Sequence, residues 1–423
     1  MQFAICRPAA HAGDDATDIL EQNRLRWLKF GNEYFCHTVD PSGTIAWNAL
    51  DASGLAFKNV AGGAIKAKEQ ALYVVIQEGR SFQRAYPDVA VLYDKGRHLV
   101  VSLDRRRASK IERHDAHFAI RPVTKNEAIV DVVRRPSTPP SIEPRIKKLV
   151  DTISRTSFAA TLSELASYPT RHSLSGHFQD AAKRTRDRLQ LMGYQVHLQD
   201  VALPAGKSLN IVADKKGSAG GERSLTLVTA HLDSINHPAD HSREDPTAPA
   251  PGADDNGSGS AGVIEIARTF RDRPITQDLR LILFGGEEQG LCGSKEYLKQ
   301  LPTAERARIR AVVNMDMIAV LNTASPTVLL EGGDPVSKDV VAGLSAAAHA
   351  YTRLEVNTSW NPHDSDHEPF IRAGLPAVLT IEGGDETNAH IHNAKDTLDR
   401  INYDLGLEIL RMNTAFVADR TGV

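Results

Sequence analysis

The sequence predicts an α/β protein: a mixed, mostly parallel central sheet flanked by helices, preceded by a small strand-rich domain. Three observations predict it. From residue 145 onward, apolar runs of strand length alternate with segments of helical spacing, the pattern of a sheet with helices on its faces. Before that, residues 1 to 125 carry short β-branched or apolar runs and one early helical pattern. Between the two, RRPSTPPSIEP (134–144) is proline-rich and polar, and reads as a linker. The 423 residues divide accordingly into an N-terminal domain (1–133), the linker (134–144) and a larger domain (145–423).

Taken in order, DDATDILEQNRLRWLKF has the spacing of a helix, and TIAWNAL, ALYVVIQ, VAVLYD and HLVVSL read as strands, with a turn at DKG (94–96) between the last two. None of these carries a chemical motif. After the linker, RIKKLVDTIS and GHFQDAAKRTRDRLQLMGY are helical, the second ending at Gly193 as a C-cap. Then SLTLVTAHLD is a strand, SGSAGVIEIARTFRD a helix, RLILFGGEE a strand, SKEYLKQL a helix and RAVVNMDMI a strand. VSKDVVAGLSAAAHAY is a helix, PAVLTIEGG a strand, and YDLGLEILRMNTAFVADR the closing helix.

Composition narrows the function classes. A net charge of −3 has no basic excess, so nothing points to nucleic acid. No apolar run reaches about 18 residues, the length a membrane span needs. MQFAICRPAAHAG lacks the basic start and apolar stretch of a signal peptide, so the chain as written reads as cytoplasmic, and as secreted if its start is processed. Three cysteines do not make a disulfide framework, although Cys6 and Cys36 could pair.

In sheets of this kind, sites form outside the carboxyl ends of the strands. Five segments deliver histidine and carboxylate there: His231 and Asp233, Asp254 and Asp255, Glu287 and Glu288, Asp316, then His390 and His392. Singly, each has an ordinary reading as a surface histidine, a helix cap or a solvated pair. Together they are a crowd of carboxylates, and no lysine or arginine accompanies these motifs. Such a crowd repels unless cations neutralise it, and a mixed histidine–carboxylate set suits zinc. The donors outnumber the three that one catalytic zinc takes, so two ions sharing a bridging carboxylate fit better. The doublets PGADDNGSG and LFGGEEQG suit that arrangement. Consecutive side chains on an extended segment point opposite ways, so one can bind metal while its neighbour orients a ligand or handles a proton.

In order, H-x-D, P-G-x-x-D-D-x-G-S-G, E-E-x-G-L-x-G-S, N-x-D-M and H-x-x-x-D-T resemble the co-catalytic dizinc aminopeptidases, over residues 145–420. That metallopeptidase family also holds glutamate carboxypeptidases and glutaminyl cyclases. The resemblance implies a zinc-exopeptidase fold and two zinc ions per chain, with His231 and Asp316 on one and Glu288 and His392 on the other. It further implies Asp254 as the bridge and Glu287 as general base. Asp233 would hydrogen-bond the far nitrogen of His231, and Asp255 would be a structural partner beside a peptide bond that is cis in the family. His392 is taken over His390 because it stands four residues before Asp396. The implied substrates are peptides with a free N-terminus. Charge and apolar-run length add no nucleic acid or membrane partner, and the N-terminal domain would be an inhibitory pro-segment, a substrate gate or an oligomerisation module.

The sequence departs from the family in places. Many members place a tyrosine near the oxyanion, whereas Ile391 precedes His392 and TSWNPHDSDHEPF has none; His363 or Trp360 would stand there or merely line the pocket. Ser365 to Glu368 reads as a capping box, which leaves Asp366 and His367 out of the site. His237, His241, His349 and His390 read as surface histidines, Cys292 as a packed thiol, and 235–251 as a rim or lid loop. A carboxypeptidase would use arginines such as Arg353 and Arg372, a glutaminyl cyclase would keep a single zinc, and an inactive binding domain would have lost ligands.

Overall fold

The chain forms two compact units in a computed structural model, which describes residues 2–8, 16–38, 55–60, 70–77, 80–111, 118–138, 140–237 and 245–423. One unit is 1–132 with 357–364; the other is 133–356 with 365–423. The expected strand TIAWNAL and His241 lie outside the described residues.

The first unit contains β1 (Phe3–Pro8), β2 (Leu25–Phe30), β3 (Glu33–Thr38), β4 (Leu55–Asn59), β5 (Gln70–Gln77), β6 (Val91–Lys95), β7 (His98–Asp104), β8 (Phe118–Pro122) and β9 (Glu127–Val133). The orders are β9–β2–β3–β1–β4 and β6–β7–β5–β8. Side chains alternate between faces along each strand. Phe3, Leu28 and Phe35 from one sheet and Leu72, Val74 and Val100 from the other therefore share one buried cluster, which joins the sheets face to face. The reverse faces are covered by helices, Ala16–Gln22 on one and Ser81–Ala85 with Arg105–Ile111 on the other. Cys6 and Cys36 are free, buried thiols in the first of these outer layers.

The early helix is shorter than its pattern predicts. It stops at Gln22, and LRWLKF is β2, antiparallel to β3 across a turn at Gly31 and Asn32. Leu25, Leu28 and Phe30 are buried by that pairing, so tertiary packing overrides the local helical spacing.

The second unit is built on β10 (Gln195–Leu203), β11 (Gly206–Lys215), β12 (Leu225–His231), β13 (Asp278–Phe284), β14 (Ile309–Met315), β15 (Thr327–Gly332) and β17 (Ala377–Glu382); β16 (Glu355–Ser359) spans the boundary between the units. The order is β10–β11–β13–β12–β14–β17–β15. β13, β12, β14 and β17 are parallel, while β10, β11 and β15 pair antiparallel at the margins. Every residue of β12, β13 and β17 is buried, as parallel strands covered on both faces should be. Helices Gly176–Leu191, Gly259–Phe270, Lys338–Tyr351 and Tyr403–Thr421 lie at the positions the periodicity predicts. Among the described residues no helix is long and apolar enough to cross a membrane.

The parallel strands end on a common edge. β12 ends in His231, β13 leads into Gly285–Glu288, β14 into Asp316, and β17 into the loop that carries His392.

Candidate metal centre

His231, the last residue of β12, is fully enclosed. Its Nε2 lies 3.2 Å from Asp316 Oδ1 and 3.3 Å from Asp255 Oδ1. The other oxygen of Asp255, Oδ2, lies 3.0 Å from His392 Nε2, and that nitrogen is 3.2 Å from Glu288 Oε2. One carboxylate thus stands between two imidazoles, with Asp316 beside one and Glu288 beside the other. His231 with Glu287 and Asp316, and His231 with Asp255 and Glu288, each offer three ligand atoms within 4.8 Å of one another.

The residue between the imidazoles is Asp255, not Asp254, which corrects the expectation from the family resemblance. Asp254 points the other way. Its Oδ1 accepts from the Ala319 amide at 3.0 Å and its Oδ2 from Asn388 Nδ2 at 3.2 Å. The backbone dictates the choice. Asp396 accepts the amides of Asp254 and Asp255, both at 2.9 Å, and so pins the doublet with its second side chain toward the histidines. Gly252 makes the preceding turn at φ +54°, where a Cβ would come within 2.5 Å of Asp255 O and Ser234 Cβ. The Asp255–Asn256 peptide is cis.

Asp233 lies at the far nitrogen of His231, as expected, with its backbone carbonyl nearer than its carboxylate. His231 Nδ1 is 3.2 Å from the Asp233 backbone carbonyl, while the Asp233 carboxylate stands 3.7 Å away. That carboxylate also accepts the amides of Glu287 and Glu288, at 3.4 and 3.3 Å, and so fixes the second doublet. Ser365 forms no capping box. Its hydroxyl donates to Asp316 Oδ2 at 2.6 Å and accepts from Asn314 Nδ2 at 2.9 Å, while Asn314 Oδ1 accepts from Thr229. A hydrogen-bonded chain from the strand interior orients Asp316 in this way. Asp366, set aside by the capping reading, is wholly buried.

The electrostatics are those of an overcrowded acidic pocket. Burial, with Asp396 adding like charge, holds Asp254 well above the usual carboxylate range. Burial also raises Glu287 and Glu288, and Glu288 and Asp255 respectively reinforce the shifts as like charges. Asp255 moves the other way: burial opposes its charge, but hydrogen bonds from His231 and His392 hold it below the usual range. His231 is held well above the ordinary imidazole value, because Asp316 and Glu287 outweigh its burial. Glu288 Oε1 is buried with no hydrogen-bond donor. A buried carboxylate oxygen without a donor, beside imidazoles and more carboxylates, is a donor set that fits a divalent cation.

The pocket also has a cation that the sequence motifs did not reveal. Arg171 is completely buried. Its guanidinium donates to Leu232 O at 2.9 Å, Leu165 O at 3.0 Å, Gly252 O at 2.8 Å and Pro251 O. Burial lowers its pKa to about 10, against the opposing charges of Asp396, Asp233 and Asp255.

Residues 210–417 match the profile described as "Peptidase family M28". That span belongs to peptidase family M28. The chain is 32% identical over 204 residues to leupeptin-inactivating enzyme 1 of Streptomyces exfoliatus, covering 48% of this chain and 42% of that protein. It is 32% identical over 219 residues to a probable leucine aminopeptidase of Trichophyton verrucosum, covering 50% and 56%. The chain thus spans about half the length of those relatives. Its fold resembles that of BSAP, a zinc aminopeptidase from Bacillus subtilis, with a TM-score of 0.54 at 18% identity, covering 63% of this chain and 95% of that one.

Other expected residues are distributed as follows. Cys292 opens the helix Cys292–Gln300 and donates to Gln289 O at 3.3 Å. Trp360 and His363 belong to the N-terminal unit, where His363 O accepts from Arg97. Arg353 and Arg372 are exposed or partly so, and Arg372 pairs with Glu368 on its own helix. His349 lies on the helix Lys338–Tyr351, and the His390 amide donates to Asn388. His237, read from sequence as a surface histidine, packs edge-on against His392 in the M28 region, with ring centroids 4.9 Å apart. Its loop position carries no periodicity, so only its recurrence near the H-x-D segment could have singled it out.

Proposed function

We propose that this chain is a zinc-dependent aminopeptidase that hydrolyses the N-terminal bond of peptides at a two-cation site, with Glu287 as the proton acceptor. The observation that carries the reading is the Asp255 carboxylate shared between His231 and His392, flanked by Asp316 and Glu288. M28 membership and the names of its relatives support it. His231 and Asp316 would hold one zinc and His392 and Glu288 the other, with Asp255 between them. A zinc pair held there supplies polarisation of the scissile carbonyl and a lowered pKa for water.

The chain's own groups do the rest. Glu287 offers an oxygen within 4.8 Å of donor atoms on His231 and Asp316, close enough to take a proton from the attacking water and return it to the leaving amine. Asp233, Asp396 and Ser365 hold the two doublets and Asp316 in register. The surplus of carboxylates attracts a protonated α-amine, which favours a free N-terminus over a blocked one.

The test pairs metal analysis of the full chain with hydrolysis of leucyl-anilide and its N-acetyl derivative. Two zinc equivalents, loss of activity on chelation and no turnover of the acetylated substrate are expected. Glu287→Gln should lower the rate by about 10²–10⁴-fold while keeping both metal equivalents. Equal turnover of the acetylated substrate would defeat the aminopeptidase reading, and loss of metal in Glu287→Gln would defeat the proton-acceptor role.

A further inference from the structure

His237 leaves β12 six residues beyond His231, and two contacts draw it to the far side of the site. Its amide donates to His392 O at 3.0 Å, and its ring meets the His392 ring at 78°. His237, Glu288 and His392 each present one ligand atom, all within 4.8 Å of one another. A second, independent observation lies in the same cluster: Glu288 Oε1 is buried without a donor. Two imidazoles and a carboxylate are a zinc donor set, and Asp255 Oδ2 adds a fourth donor 3.0 Å from His392 Nε2. The other side of the site has His231, with Asp316 and the same Asp255 beside its Nε2, and Glu287, the proton acceptor in the reading above, within reach; no second histidine is among the three-residue groups that contain His231.

We infer that His237 is a fourth protein ligand at the Glu288–His392 centre, so that the two centres are unequal. The inference rests on the two-cation reading above and deepens it. A centre with four protein donors is closed, as structural zinc sites are, whereas three donors leave a position for substrate. The closed centre should fill first and exchange slowly. The His231–Asp316 centre should fill second, exchange readily and be the one that meets the peptide.

The experiment uses the full chain, stripped by chelation and titrated with Co²⁺ and then Zn²⁺, followed by calorimetry and visible absorption. Cobalt bands are intense in a four-coordinate site without an inversion centre and weak in sites of higher coordination, so the spectrum reports ligation without any turnover. For the unaltered chain two separate binding steps are expected, the first with the intense spectrum. In His237→Ala and in the bulkier His237→Gln, the first step should weaken by at least about 10–100-fold, the range found when even an orienting partner is lost, and its spectrum should fade. The second step should hold. His390→Ala, in the neighbouring loop, should reproduce the unaltered titration. Thermal melts of the stripped variants, matching the parent, show that each is folded. If either His237 variant superposes on the parent in affinity and spectrum, the inference is overturned while the two-cation reading stands. If the parent itself takes up fewer than two equivalents, that reading falls and the inference with it.

Discussion

At Asp255 a single carboxylate faces two imidazoles, while one position earlier Asp254 turns away from them to accept from the Ala319 amide and Asn388. The two should therefore respond oppositely to the same change. Asp255→Asn keeps the shape and removes the charge that both cations would share, so metal content should fall below two per chain and activity with it. Asp254→Asn should keep both equivalents, because its carboxylate is turned from the imidazoles toward Ala319 and Asn388 and burial disfavours its charge. Elemental analysis of the two proteins after dialysis checks this; retention of metal by Asp255→Asn with loss from Asp254→Asn would restore Asp254 as the bridge. The same doublet marks where sequence reading reached its limit. That a D-D pair belonged to the site was legible from its loop and composition. Which member turned inward was not, because adjacent side chains point to opposite sides and only the backbone path decides between them. That path is set by Asp396, 141 residues from Asp255, which in the sequence served only to locate His392. Ser365 was hidden differently: its S-D-H-E context imitates a capping box, while its hydroxyl is committed to Asp316.

The parallel strands that end at the site were legible because they bury a full apolar run. β12, β13 and β17 are covered on both faces and read as continuous apolar runs. β10 was not legible, because an outer strand with most residues exposed or half-exposed carries little hydrophobic alternation. The helix His367–Arg372 is too short to show a period. Arg171 escaped notice because a lone arginine in a loop reads as solvated. Its work is to join elements. Through Leu165 it holds the end of the helix Arg155–Ala166, through Leu232 the segment after β12, and through Pro251 and Gly252 the turn before Asp254. Arg171→Met would strand these buried carbonyls and remove a charge near Asp396 and Asp233, so a loss of about 3–5 kcal/mol is expected. Arg171→Lys should recover little, since an ammonium cannot reproduce the planar fork. Denaturant unfolding measures both, and a change under about 1 kcal/mol for Arg171→Met, the level of an exposed ion pair, would refute the stapling role.

For the molecule as a whole, the acidic pocket couples stability to both pH and metal. Burial raises Asp254, Glu287, Glu288 and Glu382, and pushes Asp366 and Asp396 up to about 7. His231 is raised as well, by Asp316 and Glu287 against its burial. All of these groups hold protons more tightly in the folded chain than in the unfolded one, where the carboxylates titrate near about 4. The folded state therefore binds more protons across the window from about pH 4 to the raised values, and its stability is present at the acid end and lost as pH rises through them. Asp255, held low, contributes in the opposite sense, but its loss falls at more acidic pH, outside this window. The metal-free protein should accordingly melt at a lower temperature at pH 8 than at pH 5.5. Zinc supplies the positive charge that protons supply in acid and binds only the folded arrangement, so added metal should stabilise most at pH 8 and flatten the profile. Thermal melts of chelated and zinc-loaded protein at both pH values decide it. A metal-free melting temperature that stays level or rises toward pH 8 would mean that the buried carboxylates are already neutralised from within the chain, and the electrostatic argument for cations at this site would lose its footing.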